Sequence, residues 1–196
     1  AINPTISDEY FYSKASFLAR LGSGSACRSI KGEVVVWGHE LKRTGEANHA
    51  EINESSDLFG VEFSEIHQNF KNYQDTILLV DKGEKQVSST VGHDLMHNHP
   101  YAERRFAQAH ENLSQIKAIL SSGNIAEFIK IVESEALTLH AMMMTSMPYF
   151  ILMKPNTLEI INKIWKFRNE TQIPVCFTLD AGANVHVLYP ENVKEN

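Results

Sequence analysis

Residues 22–29 read Gly-Ser-Gly-Ser-Ala-Cys-Arg-Ser, a run in which glycine and serine precede a single arginine. Glycine lets the backbone approach a ligand closely, and serine can cap a helix or donate its hydroxyl group. Free amides at the start of a helix, together with the positive end of its dipole, favour a phosphate. Arg28, one turn into that helix, adds a planar guanidinium suited to a carboxylate. A flexible turn before a capped helix is the competing interpretation.

Outward from this run, the pattern predicts a helix before it and a strand after it. Residues 8–19 are an aromatic, helix-like stretch behind a candidate cap at Ser7. Residues 32–38 (GEVVVWG) are β-branched and bounded by glycine, which is typical of a strand.

A second strand marks the predicted division of the chain. Residues 75–81 (DTILLVD) form a nearly continuous apolar run, which predicts a buried strand. We place a domain boundary just before this run, so that the chain divides into domains 1–74 and 75–196.

Three apolar stripes with helical spacing predict three helices in the second half of the chain. The first can end at Gly123, the second can be capped by Asn124, and the third covers residues 157–169. The apolar positions are Ala102, Phe106, Ala109, Leu113, Ile116 and Leu120 in the first, Ile125, Phe128, Val132, Ala136, Leu139 and Met143 in the second, and Leu158, Ile161 and Trp165 in the third.

The last elements predict a β-hairpin. Residues 175–179 and 185–189 have strand composition, and the DAGAN sequence at 180–184 between them is typical of a tight turn. Helices interleaved with strands and followed by a hairpin favour an α+β fold over a doubly wound sheet.

Composition restricts the class of protein. Of 196 residues, 43% are hydrophobic and 21% are charged, as in an ordinary soluble globular protein. A net charge of -6 gives no broad electrostatic surface for nucleic acid, and no apolar stretch approaches the length of a membrane span. Cys27 and Cys176 are too few for a disulfide framework. We therefore expect an acidic cytoplasmic protein with no nucleic-acid or membrane partner.

The octapeptide at 22–29 closely resembles the GSGSACRS signature of the mevalonate diphosphate decarboxylases, a branch of the GHMP kinase superfamily. Further stretches resemble that family in the same order along nearly the whole chain. They are residues 33–37 (EVVVW), residues 85–92 (KQVSSTVG), residues 139–141 (LHA) followed by 148–150 (PYF), and residues 177–184 (FTLDAGAN). One short match could be chance; this ordered series is not.

The resemblance implies a fold, an activity and an assembly. The fold would be GHMP-kinase-like α+β, with the end of a first domain followed by a ferredoxin-like second domain. The activity would be ATP- and Mg²⁺-dependent decarboxylation of mevalonate 5-diphosphate to isopentenyl diphosphate, in the mevalonate pathway of isoprenoid biosynthesis, by a cytoplasmic homodimer. The family first phosphorylates the 3-hydroxyl group and then releases phosphate and carbon dioxide.

The resemblance also implies which residues bind the diphosphate. Ser23 and Ser25 would contact it, with Gly24 between them allowing close approach. Ser89 would donate a further hydrogen bond to the substrate.

Two residues would act on the reacting end of the substrate, again by resemblance. Arg28 would hold the carboxylate, and Asp180 would face the tertiary hydroxyl group as general base or orienting carboxylate. Taken alone, an Asp-Ala-Gly sequence is most simply a turn.

The chain departs from the family pattern in three places. Residues 93–100 (HDLMHNHP) differ from the usual segment, and Ala183 stands where many relatives have proline. The superfamily's glycine-rich ATP loop and the family's N-terminal lysine would lie upstream of residue 1. We therefore expect a fragment, inactive alone, with a last helix beyond Asn196.

Other functions stay open on the sequence. A mevalonate 3-kinase or phosphomevalonate decarboxylase is close within the family, although Asp180 favours decarboxylation. A non-catalytic GHMP-type binding protein would keep the pocket without turnover. His93, His97 and His99 could support a metal-dependent hydrolase, but too few further ligands accompany them, so we predict no metal site there. Cys27 has no histidine close in sequence to activate it as a nucleophile.

Overall fold

The computed structural model describes residues 8–38, 56–83 and 94–194. The chain divides into two compact units, Ala1–Ile66 and His67–Asn196, which are described separately. The predicted domains 1–74 and 75–196 stay a prediction. Cys27 and Cys176 are both buried and unpaired. No helix in these three ranges combines the length and the apolar character needed to cross a bilayer.

The first unit consists of a helix, a short 3₁₀ helix and a small strand pair. Helix α1 (Asp8–Gly22) confirms the predicted helix and extends it by three residues. The 3₁₀ helix Gly24–Ser29 follows. Strand β1 (Val35–Val36) pairs antiparallel with β2 (Val61–Glu62), so the predicted strand at 32–38 forms a ladder at only two of its residues.

The second unit is an α+β arrangement of three helices and a three-stranded antiparallel sheet in order β3-β5-β4. The register pairs Ile77 with His186 and Phe177 with Val187. The elements are β3 (Gln74–Leu78), α2 (Ala102–Ser122), α3 (Ile125–Met144), α4 (Pro155–Thr171), β4 (Cys176–Leu179) and β5 (Val185–Tyr189), with 3₁₀ turns at Gln68–Phe70 and Glu191–Val193.

Local signals at the α2–α3 junction act as predicted. Gly123 ends α2 in the left-handed conformation, with φ of 79°, and its amide donates to the carbonyl of Ile119. Asn124 begins α3, and its side-chain oxygen accepts a hydrogen bond from the amide of Glu127 at 3.2 Å. Both caps are confirmed, because glycine tolerates positive φ and asparagine satisfies a free amide of the first turn.

The core of the second unit lies between helices α3 and α4 and the hairpin strands. Phe177 and Val185 are fully buried, and the Phe177 ring lies 5.9 Å from the ring of Trp165 between centroids. The core cluster comprises Ala136, Ile161, Ile164, Val175, Phe177, Leu179 and Val185. The two hairpin strands and α4 were predicted from sequence, and each is confirmed.

The prediction that β3 is buried was wrong. Ile77 is 50% exposed and Leu79 is 61% exposed. The reason is that β3 lies at the edge of the sheet, hydrogen-bonded to β5 alone among the described strands. An apolar run therefore identified the strand but not its place in the sheet.

Three residues of the predicted helical stripes are also exposed. Phe106 in α2 is 52% exposed, Leu139 in α3 is 36% exposed and Leu158 in α4 is 50% exposed. In α2 the face toward α3 instead carries Arg105 and Asn112, which both bond the carboxylate of Glu135.

Candidate active site

The serines predicted to bind diphosphate lie at the start of the 3₁₀ helix. Ser23 is its extended N-cap, and its carbonyl accepts from the amide of Ala26 at 2.9 Å. Ser23, Gly24 and Ser25 are all exposed. Neither serine hydroxyl is hydrogen-bonded to any residue that the structure describes, so both are free to donate to a ligand.

Gly24 lies close against the ring of Trp37. A Cβ atom at Gly24 would lie 3.0 Å from the Trp37 ring, closer than an ordinary contact. The Trp37 indole donates to the carbonyl of Asp57 at 3.1 Å, which holds the ring in place. Trp37, the last residue of the EVVVW stretch, therefore packs against the glycine-serine run at Gly24.

Ser16 anchors the same run from beneath. Its hydroxyl donates to the carbonyl of Cys27 at 2.8 Å and accepts from the amide of Gly60 at 2.9 Å, and the residue is 2% exposed. One buried serine thus joins α1, the 3₁₀ helix and the segment before β2. Cys27 itself is 1% exposed.

Arg28 lies in the last turn of the 3₁₀ helix rather than one turn into an α-helix. It is exposed, and its guanidinium forms no ion pair or hydrogen bond within the described ranges. A planar guanidinium group with no partner among the described residues can bind a carboxylate or a phosphate.

A cavity of about 340 Å³ lies elsewhere in the first unit. Its lining includes the buried Cys27 and the ion pair between Lys31 and Glu62, which are 3.3 Å apart. Ser23, Ser25 and Arg28 do not line it, so it is separate from the predicted substrate contacts.

Asp180 follows β4 in the second unit and begins the turn of the hairpin. Its side chain is exposed and has no partner among the described residues. Its main-chain carbonyl, in contrast, accepts twice: from the amide of Gly182 at 2.7 Å and from Nε2 of His140 at 3.1 Å. The backbone of Asp180 is therefore held, while its carboxylate has no partner in the part of the chain that the structure describes.

The far end of the same turn is also anchored. The Thr157 hydroxyl, at the start of α4, donates to the carbonyl of Ala183 at 2.6 Å. The side-chain oxygen of Asn184 accepts from the amides of Val80 and Asp81, at 2.9 and 3.0 Å. Helix α4 and the segment after β3 thus fix the turn that carries the aspartate.

Residues 76–196, which contain this turn, match the family model described as the mevalonate 5-diphosphate decarboxylase C-terminal domain. The chain belongs to the mevalonate 5-diphosphate decarboxylase family.

Relatives within the family agree along most of the chain. The diphosphomevalonate decarboxylase of Eremothecium gossypii is 28% identical over 183 residues, which are 91% of this chain and 43% of that protein. A mevalonate diphosphate decarboxylase from Legionella pneumophila has a TM-score of 0.72 at 26% identity, covering 97% of this chain and 52% of the other. The structure named MDDEF in complex with MVAPP, AMPPCP and magnesium also has a TM-score of 0.72, at 25% identity, covering 96% and 52%.

The chain spans about half the length of the decarboxylases that it matches. The GHMP-kinase-like α+β fold implied by the sequence resemblance is confirmed.

The structure distributes the family's predicted site residues over both units. Ser23, Ser25 and Arg28 belong to the first unit and Asp180 to the second. Ser89 lies outside the described residues, and its predicted contact stays a prediction.

His140 is a site residue that sequence reasoning missed. It was noted only as the middle residue of the family-like LHA sequence, because histidine is polar and is not counted among the apolar positions of a helix. Its position four residues after Ala136, on the buried face of α3, was the available signal. The side chain is 1% exposed, and burial lowers the pKa of His140 below 6.5, partly opposed by its hydrogen bond to Asp180. A neutral ring with its proton on Nε2 fits this bond.

The histidine cluster takes a structural role where it is described. Nδ1 of His99 accepts from the amide of Tyr101, and Nε2 lies 3.1 Å from the carbonyl of Met142. Both ring nitrogens are thus engaged by the main chain. Among the described residues, no three His, Cys, Asp or Glu side chains converge as metal ligands. His93 falls outside the described ranges, and His97 is exposed.

Proposed function

We propose that this chain supplies the acceptor-substrate side of an ATP-dependent decarboxylase that converts mevalonate 5-diphosphate to isopentenyl diphosphate. The observation that carries the proposal is the Asp180 turn: its backbone is anchored at both ends while its carboxylate is exposed and unpaired among the described residues. Rigid placement of a free carboxylate is what a catalytic acid–base group requires. The named activities of the relatives support the same chemistry.

The proposed reaction begins at the tertiary hydroxyl group of the substrate. Asp180 orients this hydroxyl or accepts its proton while the oxygen attacks the γ-phosphorus of ATP, the bond from that phosphorus to the β,γ-bridging oxygen breaks, and ADP leaves. The carbon–oxygen bond to the new phosphate then breaks, and phosphate leaves with the electron pair. The adjacent carbon–carboxylate bond breaks next, its electrons form the double bond, and carbon dioxide leaves.

The first unit would bind the rest of the substrate. The exposed hydroxyl groups of Ser23 and Ser25 can donate to diphosphate oxygens, and Gly24 keeps the backbone open between them. Arg28 can grip the carboxylate through two parallel hydrogen bonds, which orients the group that will leave as carbon dioxide. Ser89 completes the proposed set.

ATP enters as the phosphoryl donor, and magnesium is proposed from the family because a solved relative contains AMPPCP and magnesium. The described residues do not offer a group of three magnesium ligands, so no step here is assigned to the metal. A homodimer and a cytoplasmic location are likewise proposed from the family.

Product analysis tests this function. The full-length protein containing this chain is incubated with magnesium, ATP and either mevalonate, mevalonate 5-phosphate or mevalonate 5-diphosphate. We expect equimolar ADP, phosphate, carbon dioxide and isopentenyl diphosphate from the diphosphate alone. A 3-phosphorylated product without carbon dioxide would replace the proposal with a 3-kinase, and turnover of the monophosphate would move it to a phosphomevalonate decarboxylase. Binding without any product would indicate a non-catalytic relative.

A further inference from the structure

We propose that His140 is a positioning residue for Asp180: its imidazole fixes the backbone of the aspartate and thereby the direction of the free carboxylate. The catalytic part of this inference rests on the function proposed above. The structural part, that His140 holds the turn, does not depend on it.

The contact joins two elements that are distant in sequence. His140 lies near the end of α3 and Asp180 follows β4, 40 residues later, yet Nε2 lies 3.1 Å from the Asp180 carbonyl oxygen. The imidazole is 1% exposed, so water cannot easily replace it as a donor. Loss of the ring would leave a carbonyl without its long-range partner at the position of the reactive residue.

The direction of this bond follows from its chemistry. A carbonyl only accepts, so Nε2 must carry the proton. The neutral Nε2–H tautomer satisfies the contact without placing a charge in the interior, and burial favours that neutral form. The predicted state of His140 is therefore a single tautomer, which can be observed directly.

The Asp180 carbonyl has two partners of different range. The amide of Gly182 bonds it at 2.7 Å within the turn, while His140 ties it to α3. The other anchors, from Thr157 and Asn184, act at the opposite end of the turn. Among the described residues, His140 is thus the long-range contact that acts on Asp180 itself, and it sets the carbonyl plane next to the Cα atom that bears the carboxylate.

His99 offers a matched control. It is also buried, at 8% exposed, and its Nε2 also lies 3.1 Å from a main-chain carbonyl, but that carbonyl belongs to Met142 rather than to the turn. A His99→Leu variant loses a bond of the same kind, together with the contacts of His99 to Tyr101 and Thr145, without touching the Asp180 turn.

The structural test uses the 196-residue chain with ¹⁵N-labelled histidine. We expect the ring nitrogen shifts of His140 to report the Nε2–H tautomer at pH 7. In His140→Leu, amide exchange of Gly182 should accelerate by about threefold to tenfold, the range for loss of one hydrogen bond. The side-chain amide of His140→Gln can still donate, so this variant should recover part of the protection of Gly182. In His99→Leu, the exchange rate of the Gly182 amide should match that of the wild type once any change in the global stability of the variant is taken into account. A protonated Nδ1 in the wild type, or equal acceleration by the His99 control, would overturn the proposal. If His140→Leu does not fold, the ring tautomer of His140 in the wild type and the exchange rate of the Gly182 amide in His140→Gln still test the proposal.

The catalytic test uses the full-length protein. We expect His140→Leu to lower kcat by roughly tenfold or more with KM within about threefold, because small displacements of a reacting group are costly to rate, and His140→Gln to restore part of kcat. An unchanged kcat in an active enzyme, despite faster Gly182 exchange, would refute the positioning role. If the wild type turns over no substrate, the proposed function has failed, and Gly182 exchange still decides whether His140 holds the turn.

Discussion

Glu133 and Arg168 form a bidentate ion pair that joins helix α3 to helix α4. Arg168 Nη1 lies 2.6 Å from Glu133 Oε1, and Nη2 lies 3.1 Å from Oε2. Trp165 donates to the same carboxylate at 2.9 Å, and Arg168 also donates to the carbonyl of Val175 at 2.7 Å. The hydrogen bond to the Glu133 carboxylate raises the pKa of Arg168, so the guanidinium group stays charged. It lies beside the core that supports the hairpin carrying Asp180.

We expect Glu133→Ala to destabilise the chain by about 3 kcal/mol, the low end for breaking a buried pair, because Arg168 keeps some contact with water. The free energy of unfolding in urea measures this. Glu159→Ala is the control, since it removes an exposed pair with Lys163 on α4. That variant should change stability little. Equal losses in both variants would mean that the contacts of Glu133 with Arg168 and Trp165 stabilise the chain no more than an exposed ion pair does.

Helix α3 shows what periodicity could and could not predict. Its bounds and its Asn124 cap follow from local sequence, because spacing and capping are properties of neighbouring residues. Its buried face includes Glu133 and His140, which no apolar stripe contains. Their burial depends on Arg168 and Asp180, which are 35 and 40 residues away. Pairing over that distance is a property of the fold and leaves no local pattern.

The candidate site likewise contains residues that local sequence predicted and residues that only the fold shows. Ser23, Arg28 and Asp180 were predicted through the family resemblance of two short stretches, residues 22–29 and 177–184, and all three side chains are exposed. Ser16 and His140 were missed, because each acts by bonding a main-chain carbonyl that its sequence neighbours do not reveal. Short stretches of sequence therefore predict the substrate contacts, and the structure adds the buried residues that bond the backbone beside them.

Asp180→Asn in the full-length enzyme should lower turnover by about 10²- to 10⁴-fold, the usual cost of losing a positioned general base. Substrate affinity should stay close to that of the wild type, because asparagine is isosteric and the anchors act on the backbone of the turn. Steady-state kinetics with ATP and mevalonate 5-diphosphate measure both quantities. Turnover within about threefold of the wild type would remove Asp180 from the chemistry.

Arg28→Lys should lower kcat/KM at least about tenfold, because a single ammonium cannot reproduce a bidentate grip and a charge-assisted hydrogen bond contributes about 1.5–3 kcal/mol. The exposed Arg28 has no partner among the described residues, so the fold itself should not suffer. A substrate analogue without the carboxylate is the control and should bind both proteins equally. Equal weakening for both ligands would assign Arg28 to the diphosphate.

His140 should make stability depend on pH in one direction. Its pKa is lowered in the folded chain by burial, so the unfolded chain binds a proton more readily. The stability that the neutral ring contributes is fully present above about pH 6.5, which is the pKa of histidine in the unfolded chain. This stability is lost as the pH falls from there through the pKa of His140 in the folded chain. Urea unfolding between pH 5 and 8 should therefore show a steeper acid loss for the wild type than for His140→Gln. Parallel curves would show that other groups cause the acid loss.

Substitutions at Thr157 test whether the hydrogen bond at the Ala183 end of the turn also contributes to the stability of the chain. Its side chain is fully buried; the hydroxyl donates to the Ala183 carbonyl at 2.6 Å and accepts from the Lys154 amide at 3.1 Å. Thr157→Val keeps the shape but leaves both main-chain groups unpaired, so we expect a loss of about 1–3 kcal/mol. Thr157→Ser keeps the hydroxyl and removes one methyl group, which should cost about 1 kcal/mol. Urea unfolding compares the two variants. If serine costs as much as valine, packing of the methyl group, and not the hydrogen bond to Ala183, holds α4 against the turn.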